Sequence, residues 1–377
     1  MIKSYKVRLY PTQQQEELMW KHIGSCRFIW NYMLDKQNTL HEQGEKHLSA
    51  FDMINLLKPL KNDGEHEWLY DVSNSSLCHT CQDLQKAYEK FFRKQGGFPK
   101  FKRKKKSKNS FPVREAVWFD GKTVHVEKVG KIKYKTDFDL PIGNGNKFSN
   151  PRITYKSNKW ILSLGVECEN QVYELTDKAM GIDLGIKDLA VVSYGDEQIV
   201  FHNINKSKKV RNLKRKLRHT QRTISRKYEA NRQGNSFVKT NNIIKEEEKL
   251  RRLYDRLTNI RNNYLHQTAH TLVSLFPYRI VMEDLNVKGM MKNRRLAKAI
   301  AEQCFSEFIR QMQYKSAWYG IEFVQADRFY PSSKTCSQCG CIKKDLKLRD
   351  RTYVCNECGF TIDRDYNAAI NLMRYVA

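Results

Sequence analysis

The sequence predicts a multidomain protein of mixed α/β and α+β class. Three observations predict this class along the 377 residues. Helical periodicity dominates the first hundred residues, short alternating strands follow over about 110–172, and strands alternate with helices after that. A chain of this length can form two or three separate cores.

The first region is predicted to be mostly helical. It begins with a strand, KSYKVRL at 3–9, and Thr12 is then placed to cap a long helix. The pair Gly24-Ser25 predicts a break within that helix, because both residues favour helix ends over helix interiors. Helical pattern returns in SSLCHTCQDLQKAYEKFFRK, and the following QGGFPKFKRKKKSK predicts a basic linker that lies along phosphates.

The middle region changes to short strands, and the last region combines strands and helices. Turn signals such as Asp120-Gly121 separate the strands over about 110–172, which predicts a small β-barrel or sheet. The last region opens with MGIDLGIKDLAVVSYG, two strands joined at Gly185, and a long basic helical stretch follows. The strand YRIVMEDL, a helix, the strand IEFVQAD, a group of cysteines and a final helix complete the chain.

The charge of the chain indicates a polyanionic partner. There are 68 Lys and Arg against 41 Asp and Glu, a net charge of +27. The basic residues form four separated clusters. This distribution favours nucleic-acid binding over two alternatives, solvated helix faces and a nuclear-localisation tract. The residues that we expect to contact nucleic acid are Lys100, Lys102, Arg103, Lys104, Lys105, Arg215, Lys216, Arg294 and Arg295.

The chain lacks the usual membrane and secretion signals. No run approaches the roughly 18 apolar residues of a membrane helix, and the N-terminal MIKSYKVRLYPTQQQ has no apolar signal-peptide core. We therefore expect a cytoplasmic protein without a membrane partner.

The cysteine spacing predicts a metal centre. Cys336 and Cys339 form one Cys-x-x-Cys pair, Cys355 and Cys358 form a second, and a glycine follows each pair. Two such pairs can close a tetrahedral thiolate site around Zn²⁺, and four protein ligands leave no open position for catalysis. The zinc is therefore predicted to be structural, with Cys341 as a bystander.

A third pair, Cys78 and Cys81, has the same spacing but a different setting. It lies in a predicted helix, without a following glycine and without a second pair. We interpret both cysteines as residues of a helix face.

Three carboxylates occupy positions that need an explanation. Asp183 and Glu283 lie within apolar strands, where a charge is costly unless it is paired or binds metal. Asp365 begins the final helix, where a capping role is equally available. Together the three residues could hold two Mg²⁺ ions for phosphodiester hydrolysis. The spacing alone does not decide between this metal site and two simpler explanations. Asp183 and Glu283 could be exposed at strand ends, and Asp365 could cap the helix.

The sequence resembles the transposon-encoded TnpB (OrfB) family, whose relatives include the type V CRISPR effectors. The blocks that carry the resemblance are GIDLGIKDLAVVS, EDLNVKGMMKNRRLAKAI, FIRQMQYKSAWYG, FYPSSKTCSQCG, RTYVCNECG and DRDYNAAINLM. YKVRLYPTQQQEELMWKHIGSCRFIWN, AYEKFFRK and GFPKFKRKK are similar to the front half of the family. The resemblance covers nearly the whole chain in order.

The resemblance implies an RNA-guided DNA endonuclease that binds a guide RNA and a double-stranded DNA target. It implies two catalytic Mg²⁺ ions and one structural Zn²⁺ ion. We expect a prokaryotic protein associated with the nucleoid, and the oligomeric state stays open, with a monomer favoured. The implied domains are a wedge-like β-barrel over 1–10 and 106–172, a helical recognition domain over 11–105, and an RNase H-like RuvC nuclease domain over 173–377 with a basic helical insertion at about 204–266 and a zinc ribbon at about 330–361.

The resemblance also assigns the catalytic residues. Asp183, Glu283 and Asp365 match the three catalytic acids of the family, and the pattern Asp-x-Asn-Ala favours Asp365 over the nearby Asp363. Arg351 matches an arginine that approaches the scissile phosphate.

This sequence departs from the family at the surface that contacts the target-adjacent motif, which lies on the recognition helix and the loop after the lysine run. The corresponding positions carry Asn74, Cys78 and Arg114, and because Cys78 is a poor base reader we infer no motif.

Two other functions compete with an RNA-guided nuclease. A guided DNA-binding repressor that does not cut is expected to have lost one or more acids, whereas all three are present. A strand-transfer transposase shares the type of core, but the long guide-binding front half argues against it.

Overall fold

The computed structural model describes residues 1–104, 106–114, 117–141, 148–169, 172–347 and 349–376. The chain divides into two compact units, Met1–Glu169 and Asn170–Ala377. Each contains a sheet and several helices, so the expected mixed α/β and α+β multidomain class is confirmed.

Unit 1 is built around a seven-stranded antiparallel sheet. Its strands are β1 (Ile2–Tyr10), β2 (Ser110–Pro112), β3 (Val117–Asp120), β4 (Thr123–Val126), β5 (Gly130–Lys135), β6 (Phe148–Lys156) and β7 (Lys159–Glu167). They lie in the order β2-β6-β7-β1-β5-β4-β3. The first strand of the chain is central because its alternate residues Val7 and Leu9 are buried, and it pairs with β7 and β5 on its two sides.

The helices of unit 1 are α1 (Gln13–Glu42), α2 (Ala50–Asn55), α3 (Leu57–Lys61) and α4 (Asn74–Phe92), with a short 3₁₀ helix at Glu67–Asp71. Helix α1 begins at Thr12 with a capping box, as expected. The predicted break at Gly24-Ser25 is wrong, since α1 continues through both residues. Buried Ile23, Cys26 and Ile29 form one stripe across this point, and their burial outweighs the roughly 1 kcal/mol propensity cost of a glycine.

Unit 2 contains a five-stranded mixed sheet. Its strands are β8 (Thr176–Leu184), β9 (Asp188–Tyr194), β10 (Glu197–His202), β13 (Pro277–Glu283) and β14 (Glu322–Ala326), in the order β10-β9-β8-β13-β14. Strands β8, β13 and β14 are parallel, and β9 and β10 are antiparallel to their neighbours. The carboxyl ends of the three parallel strands therefore meet at one edge of the sheet.

Helices cover both faces of this sheet. The helices of unit 2 are α5 (Lys208–Ala230), α6 (Asn241–Val273), α7 (Val287–Met290), α8 (Ala297–Gln303), α9 (Phe305–Tyr319) and α10 (Arg364–Met373). Strand residues such as Ile182 and Met282 pack with residues of α6 and α9, whereas their neighbour Val281 packs with Leu372 of α10. The helix α10 thus lies on the opposite face from α6 and α9.

Two smaller features extend from this sheet. Helices α5 and α6 form a hairpin with a small apolar core, capped by β11 (Arg232–Gln233) and β12 (Ser236–Phe237). Strands β15 (Thr352–Val354) and β16 (Thr361–Asp363) belong to a module that contains the four spaced cysteines. Within the described ranges, no helix is both long enough and apolar enough to cross a membrane.

Candidate active site and metal centre

The pairing register of β8 and β13 places Asp183 and Glu283 side by side at the carboxyl ends of these two strands. The register of β8 and β13 pairs Ile182 with Met282, so the next residue along each parallel strand is an acid. Residues two apart on a strand share a face, and the two acids therefore lie on the face that Val281 presents to α10. Both acids are half-buried at the carboxyl edge.

The third acid reaches this point because α10 packs directly against β8. A Cβ atom built on Gly181 would lie 2.0 Å from the Ala369 carbonyl oxygen and 2.3 Å from the Met373 nitrogen. Only glycine permits such a close approach of two backbones. The helix runs opposite to β8, so its first turn, which contains Asp365, lies toward the end of the strand that carries Asp183.

The two alternatives for the third acid occupy different positions. Asp363 is the N-cap of α10, and its Oδ1 accepts hydrogen bonds from the backbone nitrogens of Asp365 at 3.0 Å and Tyr366 at 3.1 Å. Asp365 is half-buried and interacts electrostatically with Asp183 and Glu283. The capping role therefore belongs to Asp363, and Asp365 remains available to the site.

The surroundings of Asp183 and Glu283 oppose the ionisation of these two carboxyl groups. Burial raises the pKa of Asp183 well above its ordinary value, and the negative charges of Glu283 and Asp365 raise it further. Burial also raises the pKa of Glu283, although a hydrogen bond from Ser332 Oγ to its Oε1 at 2.7 Å acts in the other direction. A bound cation would relieve this repulsion, and carboxylate oxygens are ligands that Mg²⁺ prefers.

Two arginines neutralise Asp365 in this structure. Arg364 donates to Asp365 Oδ1 from Nε at 3.1 Å and from Nη2 at 2.9 Å. The more exposed Arg351 places Nη1 3.7 Å from Asp365 Oδ2. A metal ion that binds Asp365 must therefore compete with the half-buried guanidinium of Arg364.

The four spaced cysteines form a compact ligand set. Their sulfur atoms all lie within 4.8 Å of one another, with 3.7 Å between Cys336 and Cys358 and 3.5 Å between Cys339 and Cys355. Sulfurs about 2.3 Å from a tetrahedral zinc ion are about 3.8 Å apart, so the residues fit such an ion. Among the described residues, this is the one group of three or more His, Cys, Asp or Glu with ligand atoms so close.

The turns of both pairs are prepared for metal binding. Gly340 and Gly359, which follow the pairs, have φ angles of +79° and +69°. Each glycine nitrogen donates to the carbonyl of the first cysteine of its pair, at 2.9 Å and 3.2 Å respectively. Backbone N–H groups, chiefly that of Cys358, lower the pKa of the Cys355 thiol to about 6, which favours the thiolate that metals require.

Buried amides attach this cysteine module to α10. Asn367 accepts a hydrogen bond from the Ser337 nitrogen at 3.0 Å and donates to the Thr335 carbonyl at 2.7 Å. Asn371, one turn later, donates to the carbonyls of Ser332 and Thr335 at 2.7 Å and 2.6 Å. The helix that carries Asp365 is thus held by β8 on one side and by the module on another.

The basic residues singled out from the sequence are mostly exposed. Lys100, Arg103, Lys104, Arg215, Lys216, Arg294 and Arg295 are exposed, and Lys105 lies outside the described residues. Lys102 differs, because its Nζ lies 3.5 Å from the centre of the Trp30 ring and burial lowers its pKa to about 8. Its backbone exchanges two hydrogen bonds with the Asn31 amide, so this segment is fixed to α1.

The residues at the motif-reading positions are partly occupied by other contacts. Asn74 accepts from Lys61 Nζ at 2.6 Å and donates to the sulfur of Cys78 at 3.6 Å, one turn along α4. Arg114 donates to Asn150 Oδ1 at 3.1 Å. Cys78 and Cys81 lie on α4 as expected, and burial raises the pKa of the Cys81 thiol to about 12.

The sequence analysis missed several residues that shape the site, namely Gly181, Ser332, Arg364, Asn367 and Asn371. Each is close in sequence to a residue that was identified. Arg364 binds its neighbour Asp365, whereas the roles of the other four depend on contacts distant in the chain. A glycine two residues before an acid, on the same strand face, was the available signal for Gly181.

Three family models match this chain. A helix-turn-helix domain model of the OrfB IS605 type matches residues 1–46, the model described as probable transposase, OrfB_IS605, matches 163–294, and the Cas12f1-like TNB domain model matches 305–372.

Known relatives match over almost the full chain. InsQ of Escherichia coli strain K12, named as a candidate RNA-guided DNA endonuclease, is 31% identical over 99% of this chain and 92% of its own length. A protein of Streptomyces pristinaespiralis with the same description is 30% identical over 98% of this chain and 88% of its own. A solved Cas12f1 chain in complex with sgRNA and target DNA is 16% identical, with a TM-score of 0.39 and 99% of each chain covered.

Fold and site define a basic, multidomain α/β protein with a carboxylate cluster at one sheet edge and, beside it, four cysteines that could hold a metal ion. The family models and the relatives then identify the family. The chain belongs to the transposon-encoded OrfB (TnpB) family, and the resemblance seen in the sequence is confirmed.

Proposed function

We propose that this protein is a transposon-encoded, RNA-guided DNA endonuclease. The observation that carries the proposal is the convergence of Asp183, Glu283 and Asp365 at the carboxyl edge of the five-stranded sheet. The names of the relatives, the net charge of +27 and the exposed basic clusters support a protein that acts on nucleic acid.

The three acids would hold two Mg²⁺ ions. Such ions supply an activated water and stabilise the leaving oxygen of a phosphodiester. Asp183 and Glu283, on adjacent strands, would hold ligand oxygens at a fixed spacing, and Ser332 would orient Glu283. Asp365 would complete the set once Arg364 releases it. Arg351, exposed beside Asp365, is placed to meet a scissile phosphate.

The domain assignment follows from this function. We infer that residues 173–377 form an RNase H-like RuvC nuclease domain, with the α5–α6 hairpin as its basic insertion and a zinc ribbon at about 330–361. Residues 1–10 and 106–172 would form a wedge-like β-barrel, and 11–105 a helical recognition domain. Guide RNA and double-stranded target DNA are the proposed partners, and a monomer is the proposed state.

A cleavage experiment tests this function. The protein is co-expressed with the DNA that flanks its gene, purified with the RNA it retains, and incubated with Mg²⁺ and a plasmid library. The library carries the guide-matched target beside randomised bases. Asp183→Ala is compared with Asp177→Ala, a matched control because Asp177 is exposed at the opposite end of the same strand.

The expected result is cleavage next to one short motif by the wild type and by Asp177→Ala, with none by Asp183→Ala. Motif-dependent binding without cleavage would favour a repressor. Joining of transposon ends by the protein alone would favour a transposase. If no RNA were retained, the proposed partner would be wrong.

A further inference from the structure

The segment between β14 and the first cysteine pair exposes one aromatic side chain on a well-held loop. Phe329 is 86% exposed, the highest value of any aromatic residue among those the structure describes. A single exposed apolar residue is common on protein surfaces. Phe329 differs from such a residue in two respects. Its loop is held by hydrogen bonds, and that loop is attached to the carboxylate site.

Hydrogen bonds fix the loop on both sides of Phe329. Asp327 Oδ1 accepts from the Phe329 nitrogen at 2.8 Å, and the Asp327 nitrogen donates to Tyr375 Oη at 3.3 Å. Tyr330 Oη donates to the Asn371 carbonyl at 3.2 Å, and its ring lies 4.8 Å from that of Tyr375. The loop is therefore preorganised, so a ligand that contacts Phe329 loses little free energy in ordering it.

The same loop is attached to the carboxylate site at two points. Arg328, on one side of Phe329, donates to Asp284 Oδ2 at 2.5 Å, and Asp284 directly follows Glu283. Ser332, on the other side, donates to Glu283 itself at 2.7 Å. A cleft of about 140 Å³ is lined by Glu283, Asp284, Arg328 and neighbouring residues. Phe329 thus lies between two residues, Arg328 and Tyr330, that line a cleft shared with Glu283.

The residues around Phe329 indicate which kind of ligand this aromatic ring could bind. Asp327, Arg328 and Lys334 surround Phe329 in sequence and are exposed, so the patch is too small and too polar for a stable protein interface. An exposed phenyl ring can stack on the face of a nucleobase, and cations beside it can contact the phosphates. Bases in a duplex are already stacked, so only an unpaired base offers its face.

We propose that Phe329 stacks on an unpaired base of the DNA strand that enters the carboxylate site, and this rests on the proposed nuclease function. Stacking tolerates any base, which suits an enzyme whose sequence specificity comes from its guide. Phe329 would then position the scissile phosphate over the acids without taking part in the chemistry.

The test uses the full chain with its guide RNA. In an Asp183→Ala background that does not cut, 2-aminopurine replaces successive bases of the target strands, because stacking on an aromatic ring quenches its fluorescence. We expect quenching at one or two adjacent positions, lost in Phe329→Ala and Phe329→Leu and retained in Phe329→Trp. Tyr278→Ala is the matched control, since Tyr278 is exposed at the end of β13 opposite Glu283.

Cleavage kinetics provide the second measurement. In an otherwise wild-type chain, Phe329→Ala should slow single-turnover cleavage about 5- to 100-fold, as expected for the loss of one base-stacking contact. Phe329→Trp should restore most of the rate, and Phe329→Leu should not. Target binding should be unchanged in all variants.

The two hypotheses fail in different ways. Unchanged quenching in Phe329→Ala, or equal cleavage by Phe329→Ala and the wild type, would overturn the stacking site while leaving the nuclease intact. Quenching that depends on Phe329, without any Mg²⁺-dependent cleavage by the wild type, would support the stacking site and overturn the nuclease.

Discussion

Replacing Gly181 by alanine tests how the catalytic acids are brought together. The added Cβ would lie 2.0 Å from the Ala369 carbonyl oxygen, whereas ordinary contact begins at 3.4 Å. Helix α10 would therefore have to retreat by roughly 1.4 Å, because neither backbone can yield by a side-chain rotation. The retreat would carry Asp365 away from Asp183.

The expected consequences are a slower reaction and a less stable unit 2. A misplacement of about 1 Å in a catalytic group can cost about 100-fold in rate. Overpacking costs about 1–3 kcal/mol, which shifts the unfolding temperature by roughly 2–4 °C per kcal/mol for a unit of this size. We expect Gly181→Ala to show both effects, measured by cleavage of a guide-matched plasmid and by thermal unfolding.

The control for Gly181→Ala is a crowded glycine in the unit that does not contain the acids. A Cβ on Gly165, in β7 of unit 1, would lie 2.9 Å from Ile2 and 3.1 Å from Ser149. Gly165→Ala should lower the unfolding temperature without slowing cleavage at a temperature well below unfolding. Wild-type cleavage by Gly181→Ala would refute the inference that direct packing of α10 on β8 positions Asp365.

Three further predictions concern the acids and the module beside them. Because the pKa of Asp183 is raised in the folded protein, ionisation of Asp183 destabilises the metal-free fold as pH rises above about 4, the ordinary value of the carboxyl. Asp183→Asn should therefore raise the unfolding temperature without metal, by an amount that grows from pH 4 to neutral, and added Mg²⁺ should stabilise the wild type alone. Ser332→Ala should slow cleavage roughly 10- to 150-fold, because losing a hydrogen bond to a charged group costs about 1.5–3 kcal/mol, and the serine substitution should have no additional effect in a Glu283→Gln background. Cys355→Ser should reduce bound zinc, measured by elemental analysis, from one ion per chain to near zero and should slow cleavage while leaving RNA retention intact.

Local patterns in the sequence were enough to locate the main parts of unit 2. Strand periodicity placed Asp183 and Glu283 on β-strands, and the paired cysteines anticipated a four-ligand cluster. These features depend on residues close in sequence. The placement of α10 on Gly181 depends on a contact between segments almost two hundred residues apart, and no local pattern encodes it.

Competition between local propensity and burial explains the remaining differences. The expected break at Gly24 did not occur, because apolar residues on both sides of it pack into one core. Lys102 belongs to a basic run, yet its ammonium group packs on Trp30, since its backbone is bound by Asn31. In both places a tertiary contact outweighs a local tendency: that of glycine to interrupt a helix, and that of a lysine in a basic run to be exposed to solvent.

The position of the cysteine module explains why four cysteines that could hold a metal ion adjoin a carboxylate cluster. Helix α10 has 10 residues, and an isolated helix of that length is marginal in water. Its position therefore depends on what it packs against. One side meets β8 at Gly181, and the buried amides of Asn367 and Asn371 bind the segment that leads into the first cysteine pair. That segment also orients Glu283 through Ser332. Closing the four cysteines around an ion would fix both ends of the module, so the metal centre would stabilise the arrangement of two of the three acids without touching the substrate.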